Sequence, residues 1–199
     1  MTTQQDVDNR RMVTQQSIDE GKLNFDFSDI KREIDKITSE YKPHPVIYLG
    51  IDPGATGAIA GIDENEVAIV LDDCPPTIHD IASLMKTIAK GYKPKAIIEK
   101  VNAFYKSSAK SAFTFGGNFS AWQMALSCYS IPYEFITPRQ WQKAMFDSAK
   151  QLDDTKKQSY ERASRLFPNL ELKTKRGKIL DGRCDALLLA EYLRRQNAS

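Results

Sequence analysis

The hydrophobic pattern of the chain predicts short strands at two places. Three strand-like segments come first, at residues 46–51, 57–62 and 66–71, and the short links between them favour an antiparallel meander. Two later apolar segments, residues 95–101 and 132–137, predict a fourth and a fifth strand. We expect these segments to form one mixed sheet.

Helical spacing of apolar residues separates and follows these strands. Thr77 is expected to cap a helix that stops at Gly91, and residues 111–130 are expected to form a second helix. In that second helix, Gly116 and Gly117 are expected to admit a close neighbour because they lack side chains. Three further helices are predicted to begin near residues 137, 155 and 181. This order predicts an α/β protein with helices on both faces of the sheet.

The N-terminal part of the chain differs from the rest in composition. Residues 1–22 are polar and Gln-rich, which predicts a flexible tail. Residues 23–43 carry apolar residues at helical spacing and predict an amphipathic helical extension, which packs on the main domain or supports a dimer. With 199 residues, 41% of them hydrophobic, the chain suits one substantial core, which we assign to residues 44–199.

Composition limits the chemistry available to this chain. The three cysteines are scattered and form no CxxC pair, so neither a disulfide framework nor a zinc site is indicated, and a reducing compartment is expected. The two histidines, His44 and His79, leave little material for a histidine-based metal site or catalytic triad. Any catalysis is therefore expected to depend on carboxylates and lysines.

Hydropathy and charge predict a soluble protein with one basic region. No apolar run approaches the roughly 20 residues of a membrane helix. The N-terminus also lacks the layout of a secretory signal, so we expect a cytoplasmic protein without membrane contact. The net charge of +2 hides an asymmetry, because residues 143–178 hold ten Lys or Arg and five Asp or Glu.

Acidic residues stand at positions where an apolar core would not place them. Asp52 follows the first strand, Glu99 interrupts the apolar run AIIEKV, and Asp185 opens the apolar face of the last helix. Asp181 lies one helical turn before Asp185 if the helix extends that far. Buried, isolated carboxylates are costly, so these groups need a shared cation, a basic partner or access to water. Converging carboxylates without His or Cys favour Mg²⁺ or Mn²⁺.

Each carboxylate also has a purely structural interpretation. Asp52 could only start a turn, because Asp-Pro-Gly is a common turn sequence. Glu99 could pair with Lys95 or Lys100, and Asp181 could be the N-cap of the last helix. The ordered set of acids favours a metal site, in which the turn after Asp52 leaves space for a phosphate.

Three sequence motifs resemble those of one family. The segments LGIDPGATGAIA, AIIEKV and DGRCDALLLAEY are similar, in this order, to motifs of the RuvC-type Holliday junction resolvases. The resemblance covers residues 46–195 and implies an RNase H-like fold, whose five-stranded mixed sheet has three antiparallel strands followed by two parallel ones. It also implies a divergent member of the family from a phage or a bacterium.

The resemblance implies catalytic roles for the acids. Asp52, Glu99 and Asp185 match the carboxylates that hold two Mg²⁺ ions, for which Mn²⁺ can substitute. Asp181 matches an additional carboxylate, although it lies one residue farther from Asp185 than in the bacterial enzymes. The implied reaction is the resolution of four-way DNA junctions by paired symmetric nicks, which leave a 5′-phosphate and a 3′-hydroxyl. Two symmetric cuts imply a homodimer, acting in a bacterial or phage-infected cell.

Basic residues complete the implied site. The catalytic lysine is Lys156 or Lys157, with Lys157 favoured and with Arg139 and Lys143 as second choices. The segment KTKRGK lies directly before the last helix, where it is expected to bind phosphates and to make DNA binding depend on salt. A flexible, solvated loop is the alternative for this segment.

The expected DNA contacts include aromatic as well as basic residues. Phe104 and Tyr105 are candidates for stacking at the junction centre, and packing under a loop is the alternative. The full set expected to contact DNA is Phe104, Tyr105, Lys106, Arg139, Lys143, Lys156, Lys173, Lys175, Arg176 and Lys178.

Other functions remain open on the sequence. A protein of this kind could cut forks and flaps as well as four-way junctions, or it could bind junctions without cutting them. An actin-like ATPase is a third alternative, because its phosphate loop also follows a first strand. Such proteins need a duplicated domain, which this chain is too short to contain.

Overall fold

The computed structural model describes residues 28, 30–33, 35, 44–54, 56–100, 108–146 and 154–198. The chain divides into two units, Met1–Pro43 and His44–Ser199. The described residues of the first unit are helical. The predicted tail, residues 1–22, and most of the predicted helical extension, residues 23–43, lie outside the described residues. The domain boundaries therefore stay predictions.

The second unit is built around a five-stranded sheet. Its strands are β1 Val46–Asp52, β2 Ala58–Asp63, β3 Ala68–Asp73, β4 Lys93–Glu99 and β5 Tyr133–Ile136. They lie in the order β3-β2-β1-β4-β5, with β1 to β3 antiparallel, β4 parallel to β1, and β5 parallel to β4. The predicted mixed sheet, with three antiparallel strands followed by two parallel ones, is confirmed.

Helices flank this sheet. They are α1 Ile78–Gly91, α2 Ala109–Cys128, α3 Pro138–Met145, α4 Thr155–Leu166 and α5 Asp181–Asn197. Thr77 caps α1 as predicted, since its hydroxyl accepts a 3.1 Å hydrogen bond from the backbone N–H of Asp80. No helix in the described ranges is both long enough and apolar enough to cross a membrane.

The third strand begins at Ala68 rather than at residue 66. The carboxylate of Asp63 accepts hydrogen bonds from the backbone N–H groups of Asn65 (2.9 Å) and Val67 (2.8 Å). Glu66, between them, has a positive φ of 68°. The side chain of Asp63 thus closes a turn that keeps the following residues out of the strand.

The expectation that Gly116 and Gly117 admit a close neighbour is wrong. A Cβ atom placed on either glycine would meet no atom of the described residues within 4 Å, because both lie on the exposed side of α2. The close approach occurs instead at Gly50 in β1, where a Cβ would lie 2.1 Å from the carbonyl oxygen of Ala186 in α5. Gly50 therefore allows α5 to pack directly on the sheet.

The two sets of alternate residues in β1 face different helices. In β1, one set of alternate residues is fully buried and apolar and packs with α1 and α2: Ile47, Leu49 and Ile51. The other set faces α5: Tyr48, Gly50 and Asp52. The alternation of the strand thus explains how an acid can end a run of core residues, since Asp52 points to the face that α5 covers.

Candidate active site

Asp52 and Glu99 are the last residues of two neighbouring parallel strands, β1 and β4. The register pairs Ile51 with Ile98, so the residues that follow them are neighbours at the carboxyl end of the sheet. Adjacent strands lie about 4.8 Å apart, and paired residues point to the same face. The two carboxylates therefore lie side by side, as predicted.

Helix α5 adds two more acids to this end of the sheet. Near the start of the helix, a Cβ on Gly182 would lie 2.3 Å from the carbonyl oxygen of Thr56, so the helix closely approaches the turn between β1 and β2. Asp181 is the first residue of α5, and Leu180 is the N-cap. Asp181 and Asp185 thus share one helix face, and the alternative that Asp181 is the N-cap is wrong.

Burial and mutual repulsion raise the pKa values of these acids. The pKa of Glu99 is raised to about 7, first by burial and then by the charges of Asp52 and Asp185. The pKa of Asp185 is also raised to about 7, first by burial and then by Asp52 and Asp181. Burial raises the pKa of Asp52 as well. The contributions of neighbouring charges to these shifts agree with the placement of acids from β1, β4 and α5 at one end of the sheet.

Two hydrogen-bond donors hold the most perturbed carboxylates. Nε1 of Trp141, in α3, donates to Oε1 of Glu99 at 2.7 Å. The hydroxyl of Ser159, in α4, hydrogen-bonds to the carboxylate of Asp185 and lowers its pKa. Oδ1 of Asp185 is buried, and no described residue is its hydrogen-bond partner. The site therefore contains one carboxylate oxygen that the surrounding residues leave unsatisfied.

The structural alternatives for Asp52 and Glu99 have different outcomes. Asp52 does start a turn, because the backbone N–H of Gly54 donates to its Oδ1 at 3.1 Å. Its role in the turn does not prevent Asp52 from lying beside Glu99 at the end of the sheet. Lys95 does not pair with Glu99, because its ammonium donates to the side-chain oxygen of Asn197 at 2.6 Å.

The structure places Lys156, and not Lys157, beside the acids. The ammonium of Lys156 forms an ion pair with Oδ2 of Asp181, and this hydrogen bond raises the pKa of Lys156. Lys157 is exposed, and its backbone N–H donates to Oδ1 of Asp154 at 3.4 Å. Lys156 and Ser159, three residues apart, lie on the face of α4 that turns to α5, whereas Lys157 is rotated by about 100°. This geometry favours Lys156, and the catalytic role of either lysine stays a prediction.

The basic segment 173–178 is a closed turn rather than a loose loop. The backbone N–H of Thr174 donates to the carbonyl of Lys178 at 2.8 Å, and that of Gly177 donates to the carbonyl of Thr174 at 2.9 Å. Gly177 has a φ of 80°, which favours glycine. The ammonium of Lys173 lies 4.1 Å from the ring centroid of Tyr160. The other basic side chains of the turn are exposed: Lys175, Arg176 and Lys178.

A pocket of about 410 Å³ has Asp181 among its lining residues. Lys156, Lys178 and Arg183 line it, and Arg183 is paired with Asp73 at 2.7 Å. Basic side chains therefore extend from the turn 173–178 to the acids.

The structure describes two of the five remaining residues that were predicted to contact DNA. Arg139 and Lys143 are exposed on α3. Phe104, Tyr105 and Lys106 lie outside the described residues, so their contacts with DNA stay predictions.

The acids do not form a ready-made metal site. In the part of the chain that the structure describes, no three Asp, Glu, His or Cys side chains are arranged to hold a metal ion. The role of metal ligand therefore stays a proposal for all four predicted residues: Asp52, Glu99, Asp181 and Asp185.

Comparisons with known proteins identify the fold. No family model and no curated protein matches the chain. Among solved structures, RuvC from Thermus thermophilus in complex with a Holliday junction substrate is similar, with a TM-score of 0.56 and 14% identity over 78% of this chain and 97% of the RuvC chain. A second Thermus thermophilus RuvC structure has a TM-score of 0.52 and 15% identity over 76% and 96% of the two chains. The chain has a RuvC-like fold.

The sequence interpretation missed several residues of this candidate active site. Trp141 lies one turn after Thr137, which predicted the start of α3 but not the direction of the indole. Ser159 lies three residues after Lys156, so a helical projection of α4 would have placed the two together. For Gly182 no sequence signal was available, because the backbone that it contacts is distant in the chain.

Proposed function

We propose that this protein is a structure-selective DNA endonuclease that depends on divalent cations and resolves four-way junctions. The observation that supports this most strongly is the convergence of Asp52, Glu99 and Asp185 at one end of a RuvC-like sheet. Buried acids this close repel one another and destabilise the fold, so a function for their charge is the better explanation.

The donor atoms of the site fit a hard divalent cation. All candidate ligands are carboxylate oxygens, which Mg²⁺ and Mn²⁺ prefer. The unsatisfied Oδ1 of Asp185 fits the same conclusion, since a cation would satisfy it. Asp52, Glu99 and Asp185, together with Asp181, would hold two such ions. When bound, these ions supply activation of the attacking water and stabilisation of the leaving 3′ oxygen.

The basic residues of the chain would bind and orient the DNA. Lys156 holds a positive charge beside Asp181, where it would stabilise the negative charge that develops on the scissile phosphate. The exposed side chains of the turn 173–178 would bind neighbouring phosphates. Binding should therefore weaken steeply as the salt concentration rises.

Four-way junctions are the proposed substrate because one of the similar structures is RuvC in complex with a Holliday junction substrate. A junction of this kind has two-fold symmetry, so paired symmetric nicks require two active sites and hence a homodimer. The proposed products carry a 5′-phosphate and a 3′-hydroxyl. Cutting of forks and flaps is the alternative with the same chemistry.

A cleavage assay with matched variants tests the proposal. The wild type and Asp52→Asn are incubated with Mg²⁺ and with labelled four-way, forked and linear DNA, and all cuts are mapped. We expect paired symmetric nicks from the wild type on four-way DNA. We expect Asp52→Asn to bind junctions without cutting them, because an amide is a weak ligand for Mg²⁺. Asp72→Asn, at an exposed acid of β3, is the control and should cut normally.

The other outcomes separate the alternatives. Equal cutting of linear duplex would contradict a junction-selective enzyme, and equal cutting of forks and flaps would favour the broader nuclease. Junction binding by a wild type that cuts nothing would favour a non-catalytic binder. Normal cutting by Asp52→Asn would show that the active site lies elsewhere.

A further inference from the structure

Trp141 is fully buried, and its one polar atom bonds to the candidate active site. Its indole N–H donates to Oε1 of Glu99 at 2.7 Å. The helix that carries it, α3, is capped at its start, where the backbone N–H of Thr137 donates to the side-chain oxygen of Gln140 at 3.0 Å. Phe146 packs edge-on against the indole, with ring centroids 5.6 Å apart. The direction of the indole is therefore determined by packing on several sides.

We infer that Trp141 is a positioning residue, which fixes the orientation of the Glu99 carboxylate so that it can bind a divalent cation. The inference rests on the proposed function, because it concerns the same site. It assigns to Trp141 no contact with DNA and no part in proton transfer.

The chemistry of the donor supports this role. An indole N–H is neutral, so it holds one oxygen of Glu99 without cancelling the negative charge of the carboxylate. A carboxylate has about four lone-pair sites, so this single bond leaves acceptor capacity on both oxygens. A lysine or arginine in the same place would compete with a cation for that charge. The partner of Asp181, by contrast, is the ammonium of Lys156.

The chain contains two tryptophans, which provide a matched comparison. Trp122 is as fully buried as Trp141, but it lies in the apolar cluster on the opposite face of the sheet, packed with residues of α1. Replacing either tryptophan by phenylalanine removes a similar buried area. Only the replacement at position 141 also removes the donor to Glu99.

The experiment measures Mn²⁺ binding by the paramagnetic signal of the free ion, without DNA and without catalysis. It compares the wild type, Trp141→Phe and Trp122→Phe, and urea unfolding in EDTA measures the stability of each protein. We expect Trp141→Phe to weaken Mn²⁺ binding by about 10- to 100-fold, as is typical when the partner of a metal ligand is lost. Trp122→Phe should bind Mn²⁺ like the wild type.

Two further measurements separate positioning from packing. Replacement of Trp141 by benzothienylalanine keeps the shape of the ring and exchanges the N–H for sulfur, and it should weaken Mn²⁺ binding as Trp141→Phe does. In Trp122→Phe, Trp141 is the remaining tryptophan, and Mn²⁺ should quench the tryptophan emission with the same midpoint as that of Mn²⁺ binding.

The inference is overturned if the benzothienylalanine protein binds Mn²⁺ as the wild type does, or if both phenylalanine variants lose the same affinity. It is also overturned if the wild type binds no Mn²⁺. A wild type whose Mn²⁺ binding depends on Trp141 but which cuts no DNA would refute the proposed function and leave the positioning role intact. If the wild type cuts DNA and Trp141→Phe binds Mn²⁺ as tightly as the wild type does, the positioning role is refuted and the proposed function is retained.

Discussion

The two ends of α5 hold acids in opposite electrostatic surroundings. At the start of the helix, Asp185 faces Asp52 and Asp181, and burial together with their charges raises its pKa to about 7. Towards its end, Glu191 is 2% exposed, and burial alone would raise its pKa as well. Hydrogen bonds from Arg194 and Arg195 nevertheless hold the pKa of Glu191 below its usual value.

The difference between the two ends lies in the partners. Oε2 of Glu191 accepts a 2.8 Å hydrogen bond from Nε of Arg194, and Oε1 accepts a 2.7 Å hydrogen bond from Nε of Arg195. Arg194 also bonds to Glu66, in the turn between β2 and β3, at 2.7 Å. An acid paired with bases in this way connects the helix to the sheet, whereas acids that face one another either take up protons or need a cation. Burial by itself therefore does not distinguish a structural acid from a functional one.

The largest expected effect comes from removing the charge at the start of the helix. Asp185→Asn should lower the cleavage rate by about 10³-fold, equivalent to about 4 kcal/mol, because a ligand of the catalytic ions is lost. The same variant should stabilise the metal-free protein above neutral pH, because it removes a repelled charge. Single-turnover cleavage and urea unfolding in EDTA measure the two effects.

The prediction for Asp185→Asn is that the cleavage rate falls while the stability of the metal-free protein rises. Asp72→Asn, at an exposed acid, is the control and should change neither quantity. If Asp185→Asn destabilised the metal-free protein and left cleavage intact, Asp185 would be a structural acid like Glu191.

A smaller effect, on stability, is expected at the other end of the helix. Glu191→Gln should lower the free energy of unfolding by about 2–4 kcal/mol, because a neutral amide replaces the buried charge to which Arg194 and Arg195 bond. The cleavage rate of the folded variant should not change, because Glu191 lies far along α5 from Asp185. Urea unfolding measures the first quantity and an assay at saturating DNA the second. Glu134→Gln, exposed on β5, is the control, and a stable Glu191→Gln would contradict the structural role of this pair.

The smallest expected effect is the response of the metal-free protein to pH. The pKa values of Glu99 and Asp185 are raised in the folded state, so the folded protein holds their protons at a pH where the unfolded chain has lost them. Stability is then full at low pH and is lost as the pH rises through about 7. We therefore expect the free energy of unfolding to decrease between about pH 5 and pH 8.

Urea unfolding in EDTA across this pH range measures the decrease. Asp185→Asn should reduce the slope, whereas Glu191→Gln should retain it, because the lowered pKa of Glu191 acts only at more acidic pH. Equal slopes in all three proteins would contradict the assignment of the pH dependence to the converging acids.

Local patterns in the sequence predicted a mixed sheet and singled out the acids, whereas the family resemblance implied the parallel pairing of the last strands. In β1 the apolar residues Ile47, Leu49 and Ile51 alternate with a second set that ends in Asp52, and this period of two is a property of the strand itself. Glu99 stands out in the same way, because it interrupts an apolar run. Asp185 stands out because it opens the apolar face of a helix. The mixed sheet and its RuvC-like fold agree with the motifs in which these acids occur.

Only the tertiary structure decided which side chains meet the acids. Trp141 bonds to Glu99 across 42 positions of the chain, and nothing local to either residue indicates the other. Lys156 rather than Lys157 lies beside Asp181 because of the face that α4 turns to α5. The close packing of α5 on the sheet depends in turn on Gly50. The pattern of buried residues follows the periodicity of a single helix or strand, so the sequence shows it. Contacts between elements depend on how helices and strands pack together, and that packing involves residues that are distant in the chain.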